Sequence, residues 1–413
     1  MPFPPRPPSF VRASLLALLA SAAIGVTRAQ TASPVVYPNV EGLTKVRGLD
    51  IALDGGAIHA LLAGKFAQRA TETLAYAASR DGGKTWSKPA FLERTGEPAV
   101  LSRRGNDPLL AVQGKRIVAV WQAKGALPGT GPLRSAASDD AGKTWSLGGT
   151  PAQGDGTHNQ SHPALALDQA GNVHLAWLDD REENGNTQGL RYAKSADGGR
   201  HWQPETTLDA AACTCCWNRL AVLPDGEVAV LYRDAEPHDM RLAVLAPGTG
   251  KWRDAGAVGA FGWHFSGCPH CGGGLAAAKT PGGMALHSVV WTGRETAPGL
   301  FYLNSADAGK TWSPPLRIGD GDSREGDIAA LSPTKAALVF TRIAEEGAKV
   351  YATHSLDGGR HWSEPVALSP PGIDADHPRI LATAAGFRVF WTETRPGGGK
   401  VFALAALSIP WTN

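Results

Sequence analysis

Ser79-Arg80-Asp81-Gly82-Gly83-Lys84-Thr85-Trp86 decides how this 413-residue chain is read, because the pattern Ser-x-Asp-x-Gly-x-(Thr/His)-Trp returns along it. Close copies run from Ser138 to Trp145, Ser195 to Trp202, Ser305 to Trp312 and Ser355 to Trp362. Their aspartates, Asp81, Asp140, Asp197, Asp307 and Asp357, are 59, 57, 110 and 50 residues apart. The longest step is two units, with Gly248-Thr249-Gly250-Lys251-Trp252 standing where a further copy belongs. Asp and Ser side chains bond nearby backbone N–H groups in a tight turn, Gly supplies a left-handed position, and Trp plugs a small apolar unit. Such a turn staple, repeating at a fixed period in a Gly-rich chain, signals a solenoid or a propeller.

Between the staples, short apolar runs begin near Val46, Asn106, Ser161, Trp217, Gly272, Gly326 and His377, each followed across a turn by a second run such as Ile58–Leu62 or Val173–Trp177. A third run precedes each staple and a fourth follows its Trp. Alternating, β-branched runs of this length are strands, and no stretch reads as a helix. The expected fold is all-β: a propeller of four-stranded antiparallel blades, seven by the count of inner strands, with six as the alternative. The seventh unit carries no staple of its own. Pro34–Tyr37 is expected to supply its outer strand, pairing the two ends of the chain and removing an exposed edge.

These staples resemble the Asp-box repeat of the sialidase superfamily of β-propellers, and the likeness spans nearly all of residues 30–413. The resemblance implies the fold and leaves the chemistry open, since in that superfamily the box lies on the face away from the substrate.

Residues 1–29 combine Arg6 and Arg12, the apolar run 13–26 and Thr27-Arg28-Ala29, which together read as a signal peptide and place the rest in the periplasm or medium. The 30–413 remainder is the sialidase-like domain, expected to be a monomer with no membrane span. Without the three arginines of the leader its formal charge falls from +2 to −1. No basic stripe offers a nucleic-acid surface.

In a four-stranded blade the loop leading into the inner strand and the loop between the second and third strands open on one face, and the staple opens on the other. The leading loops gather Arg47, Arg104, His162, Arg219, Arg324, His377 and Arg379; the second set brings Asp180, Arg181, Arg233, Asp234, Arg294 and Glu295. Each pair taken alone reads as a salt bridge between blades. Together they outline a mixed-sign mouth for a small-molecule, glycan or metal ligand.

For the catalytic sialidases the resemblance implies three arginines on the substrate carboxylate, a Tyr–Glu nucleophile and an Asp near the start of the propeller. Tyr76, Tyr192, Tyr302 and Tyr351 precede boxes and read as packing residues, and Tyr37 falls in the closing strand, which leaves Tyr232, in Leu231-Tyr232-Arg233-Asp234, as the candidate. That family's Arg-Ile-Pro signature is absent; Val46-Arg47-Gly48-Leu49-Asp50 occupies its place. An exo-α-sialidase would draw its arginines from Arg47, Arg233, Arg294, Arg324 and Arg379.

All five cysteines fall within 59 residues: Cys213, Cys215 and Cys216 lead into the fourth inner strand, Cys268 and Cys271 into the fifth. The pattern is similar to bacterial exported sialidase-like proteins with a Cys-x-Cys-Cys segment followed by Gly-Trp and Cys-Pro, here Gly262-Trp263 and Cys268-Pro269. Two readings stand open. Disulfides would join the two loops, since vicinal Cys215 and Cys216 are strained partners. Alternatively the thiolates, with His270 or His264, form a copper or zinc site, Cys-Pro-His-Cys having ligand spacing.

Overall fold

The computed structural model describes residues 31–92, 99–153, 158–184 and 187–408; the expected signal segment, residues 1–29, lies outside them. The described strands form seven four-stranded antiparallel sheets and no helix. The inner strands are Leu43–Asp54, Leu109–Gln113, Gln160–Leu167, Arg219–Val222, Gly274–Thr280, Ser323–Ala330 and Asp374–Thr383. Neighbouring inner strands touch around the ring, the last meeting the first, so the molecule is a seven-bladed β-propeller.

The boxes work as their residue types dictate. Ser195 Oγ accepts from Gly199 N at 2.8 Å and donates to Asp197 at 2.8 Å, while Asp197 takes the N–H of His201 at 2.9 Å. Box tryptophans seal the blades against one another: Trp145 meets Tyr76 of the preceding blade and Trp362 meets Tyr302, with ring centroids 5.5 and 4.8 Å apart. Trp252, in the degenerate copy, keeps this role against Tyr192 at 4.8 Å. The same three tyrosines bond buried histidines of their own blades, His59, His174 and His287, at 2.6–2.7 Å. Their role is packing, as their position before the boxes suggests.

The seventh blade is closed by the start of the chain, slightly earlier than expected. Thr31–Ala32 pairs with Lys400–Ser408, and a single bridge joins Val36 to Leu404. Pro34 explains the split ladder: it has no N–H to donate between the two contacts. Residues Val35 and Val36 pack onto the apolar clusters on either side of this blade.

Four inner strands begin with a bulge, at Leu43–Lys45 and Val46–Gly48 in blade 1 and at Ser161–Ala164, Arg324–Asp327 and Asp376–Arg379 in blades 3, 6 and 7. In the last three the bulged residue has a positive φ, His162 at 51°, Glu325 at 56° and His377 at 64°. A bulge re-aims the strand and its side chains. Here it turns polar residues of blades 3, 6 and 7 towards the axis.

Candidate functional site

The axis is polar but closed. Trp217 of blade 4 lies across it, stacked on His377 of blade 7 at 6.5 Å between centroids. Gly105 (φ 78°) and Gly272 make room: a Cβ on either would stand 2.4 and 2.1 Å from the indole. Beneath the indole is a cavity of about 60 Å³ lined by Asp50, Asp107, Asn218, Arg219 and Arg379. Arg219 donates to Asp327 at 2.6 Å and Asp107 pairs with His377 at 2.7 Å, each bond spanning non-adjacent blades. Arg104 reaches Glu325, which also accepts from the His377 N–H at 2.9 Å.

Arg47, Arg104 and Arg379 line a second small cavity, of about 40 Å³, with His377 and Lys400. Arg47 also pairs with Glu72 at 2.7 Å. The other sialidase candidates lie elsewhere. Tyr232 is buried and donates to Asp209 at 2.8 Å; burial, with the Asp209 carboxylate beside it, pushes its phenol well above the usual range. Arg233 is buried and donates to three backbone carbonyls, those of Cys271 (3.0 Å), His238 (2.5 Å) and Trp291 (2.9 Å). Asp234 pairs with Arg241 at 3.2 Å, Arg294 and Glu295 are exposed, and Arg324 lies over Trp291 at 4.8 Å. Asp180 accepts from Asn159 N at 2.8 Å, and Arg181 grips Asp179 at 2.7 Å and reaches Glu205. His162 is buried, its imidazole pushed down to about 3 by desolvation with Arg103 and His270 nearby.

The two cysteine loops do meet at the mouth. Cys213 Sγ lies 3.8 Å from Cys215 Sγ and 3.5 Å from Cys216 Sγ, and all five cysteines are free thiols. Among the described residues two groups could each hold an ion: Cys213, Cys215 and Cys216, all buried, and Cys215 with the exposed Cys268 and His270. Within each group the ligand atoms lie within 4.8 Å of one another. Thr214 Oγ1 rests 3.2 Å from Cys268 Sγ. Contacts with Cys215 and Cys216, helped by the Arg233 guanidinium, hold the Cys213 thiol far below its usual range, whereas burial pushes Cys216 up to about 11. Cys271 stands outside both groups, buried, its thiol also raised to about 11 by desolvation. His264 is drawn off to Glu236. Cys215 is the ligand shared by both groups.

Asp50, which the repeat pattern did not single out, is partly buried in the channel wall and accepts from Leu110 N at 2.8 Å. Burial raises its carboxyl to about 6, against about 4 in an unfolded chain. Between those values the unfolded chain has released a proton that the folded chain keeps, so this group makes stability fall as pH rises from about 4 to 6 and level off above. Asp50→Asn is expected to remove that part of the slope, gaining up to about 3 kcal/mol at pH 7 relative to pH 4. Melting curves across this range decide it; parallel pH profiles for the two proteins would exclude Asp50 as the source.

No curated protein matches the chain in sequence. Among solved structures it is similar in fold to an ulvan lyase (TM-score 0.59, 13% identity, covering 92% of this chain and 96% of that one). An α-L-arabinanase of Penicillium chrysogenum gives 0.53 at 12% identity, covering 93% and 100% of the two chains. The NanB sialidase of Streptococcus pneumoniae gives 0.50 at 11%, covering 91% and 71%. At these identities the likeness is one of fold. Residues 51–258, half of the sequence, match the BNR repeat-like domain, and the chain belongs to that family.

Proposed function

We propose that this is an exported propeller that binds a soft metal ion, copper(I), at its channel mouth through the cysteine loops of blades 4 and 5. One observation carries the reading: three buried sulfurs, Cys213, Cys215 and Cys216, gathered within 4.8 Å. Metal–thiolate bonds of about 2.3 Å around one ion put trigonal or tetrahedral sulfurs about 3.8–4 Å apart, close to the 3.5 and 3.8 Å found here. A disulfide would need the sulfurs about 2 Å apart. Structural zinc is almost always four-coordinate, whereas the buried trio has no fourth ligand atom in its group among the described residues. Soft thiolates without a fourth donor favour copper(I).

Glycoside chemistry has weaker support, because Tyr232 and Arg233 are engaged inside the blades.

Protein purified anaerobically is expected to carry about one equivalent of copper and, once stripped, to titrate all its cysteines as thiols under denaturant. Cys215→Ser, which removes the ligand common to both groups, is expected to reduce the metal content to background. No stoichiometric metal, together with at most one titratable thiol, would replace this reading with paired disulfides.

A further inference from the structure

The two ligand groups differ in one physical respect. Cys213 and Cys216 are 1% exposed, whereas Cys268 and His270 stand on the rim in solvent. Cys215, 6% exposed, lies between them and belongs to both. An ion held by Cys213, Cys215 and Cys216 alone would have no open path for a donor's thiolate to approach. An ion on Cys268 and His270 would.

We propose that Cys268 and His270 form a receiving position from which copper(I) passes to the buried trio, with Cys215 as the ligand that stays bound during the transfer. The proposal rests on the soft-metal reading above and adds a direction to it: the protein takes copper(I) from a thiolate carrier by ligand exchange. The rim is prepared for this. The His270 Nδ1 lies 3.0 Å from the Cys268 carbonyl, which can only accept, so Nδ1 carries the proton and Nε2 keeps the lone pair for metal. The Thr214 hydroxyl, 3.2 Å from Cys268 Sγ, can donate to a thiolate there. His270 itself is held at φ 50°, a left-handed position that a non-glycine residue adopts only under constraint.

The exchange balances without redox chemistry. Bonds from copper to Cys215 Sγ, Cys268 Sγ and His270 Nε2 form as the carrier's thiolates leave, and the departing thiolates take up the protons that the cysteine thiols lose. Bonds to Cys213 and Cys216 then form as those to Cys268 and His270 break, and the protons displaced from Cys213 and Cys216 pass to Cys268 and to water. Copper stays in the +1 state throughout, and His270 returns to the neutral imidazole.

The test is the rate of loading set against the affinity at equilibrium. The mature chain is mixed anaerobically with copper(I)–glutathione, and thiolate-to-copper absorption is followed in time; a chelator competition gives the affinity. Cys268→Ser and His270→Gln are each expected to slow loading by at least about tenfold, with affinity within about threefold of the unaltered protein. Cys213→Ser is expected to lower affinity by about a hundredfold or more while the initial rate is kept. Circular dichroism and melting curves of the four proteins check that each is folded, and the kinetic contrast between rim and buried variants supplies a readout that a folding defect would not mimic. Rim variants that load at the unaltered rate overturn the relay, as do rim variants that lose as much affinity as Cys213→Ser, which would make all five ligands one site. A protein that takes up no copper(I) at all fails the soft-metal reading itself, and the relay with it.

Discussion

Arg233→Met is expected to be among the most damaging single substitutions in the chain, lowering stability by about 4 kcal/mol or more and the melting temperature by on the order of 10 °C. The guanidinium is 1% exposed and has no carboxylate partner in its hydrogen-bond set; it donates to the carbonyls of His238 in its own blade and of Cys271 and Trp291 in the next. Methionine fills the volume but leaves three buried acceptors without a donor, and a hydrogen bond to a charged group contributes about 1.5–3 kcal/mol. Arg233→Lys, with a single ammonium on a shorter reach, should recover part of the loss. Since the Cys271 carbonyl lies in the second cysteine loop, the methionine variant should also loosen the packing of that loop on blade 4. Chemical denaturation read by tryptophan fluorescence measures the effect. A loss below about 1 kcal/mol would mean that these carbonyls find water or other donors, and that the guanidinium is not what ties blade 4 to blade 5.

Arg233 also shows where the sequence stops informing. Its neighbours Tyr232 and Asp234 put a phenol, a guanidinium and a carboxylate at the end of a second strand, where the topology opens on the mouth, and three such groups in a row read as chemistry. In the structure the strand end is covered by the next blade's leading loop. Arg233 becomes a donor to backbone and Tyr232 a partner of Asp209 in the outer strand of blade 3. Residue types carry no mark of which carbonyls a neighbouring blade will bring. The boxes were legible for the opposite reason: every bond that defines them joins residues within four positions of each other, as from Ser195 to Gly199 or Asp197 to His201. Even the missing seventh box has a local explanation. That blade takes its outer strand from the chain's start, so no loop exists to be stapled.

The site was half legible. Adjacent blades had to bring the two cysteine loops together, and they do. Which cysteines converge was not readable, because the loops are irregular and no two-residue alternation sorts their side chains; hence Cys215 is central and Cys271 stands apart. Asp50 and Asp107 line the axial cavity and Asp327 receives Arg219 there, but register shifts near the strand starts in blades 1, 3, 6 and 7 displace the in–out count.

Excision of residues 31–37 is expected to open the ring. These residues supply the outer edge of blade 7: Ser33 N bonds Ala406 O at 2.8 Å, Val36 and Leu404 exchange both backbone bonds at 2.8 and 2.9 Å, and Ser33 Oγ accepts from Ala406 N at 2.8 Å. At about 1 kcal/mol each, these bonds together with the packing of Val35 and Val36 amount to about 5 kcal/mol or more. The larger consequence is kinetic. Excision leaves the Lys400–Ser408 strand with unpaired backbone groups along a flank whose Phe402, Leu404 and Leu407 are buried in the intact ring. Such an edge recruits another chain, by edge pairing or by exchange of a strand. The excised protein should therefore melt at least about 10 °C lower and form concentration-dependent oligomers, seen by light scattering on size-exclusion chromatography. A peptide spanning residues 31–37, added in excess, should compete with this association and restore part of the melting temperature, as expected if the missing piece is the edge strand itself. If the excised chain stays monomeric at high concentration and melts within about 3 °C of the intact one, the ring is held by blade-to-blade packing alone, and pairing of the two chain ends contributes nothing that the apolar clusters do not already supply.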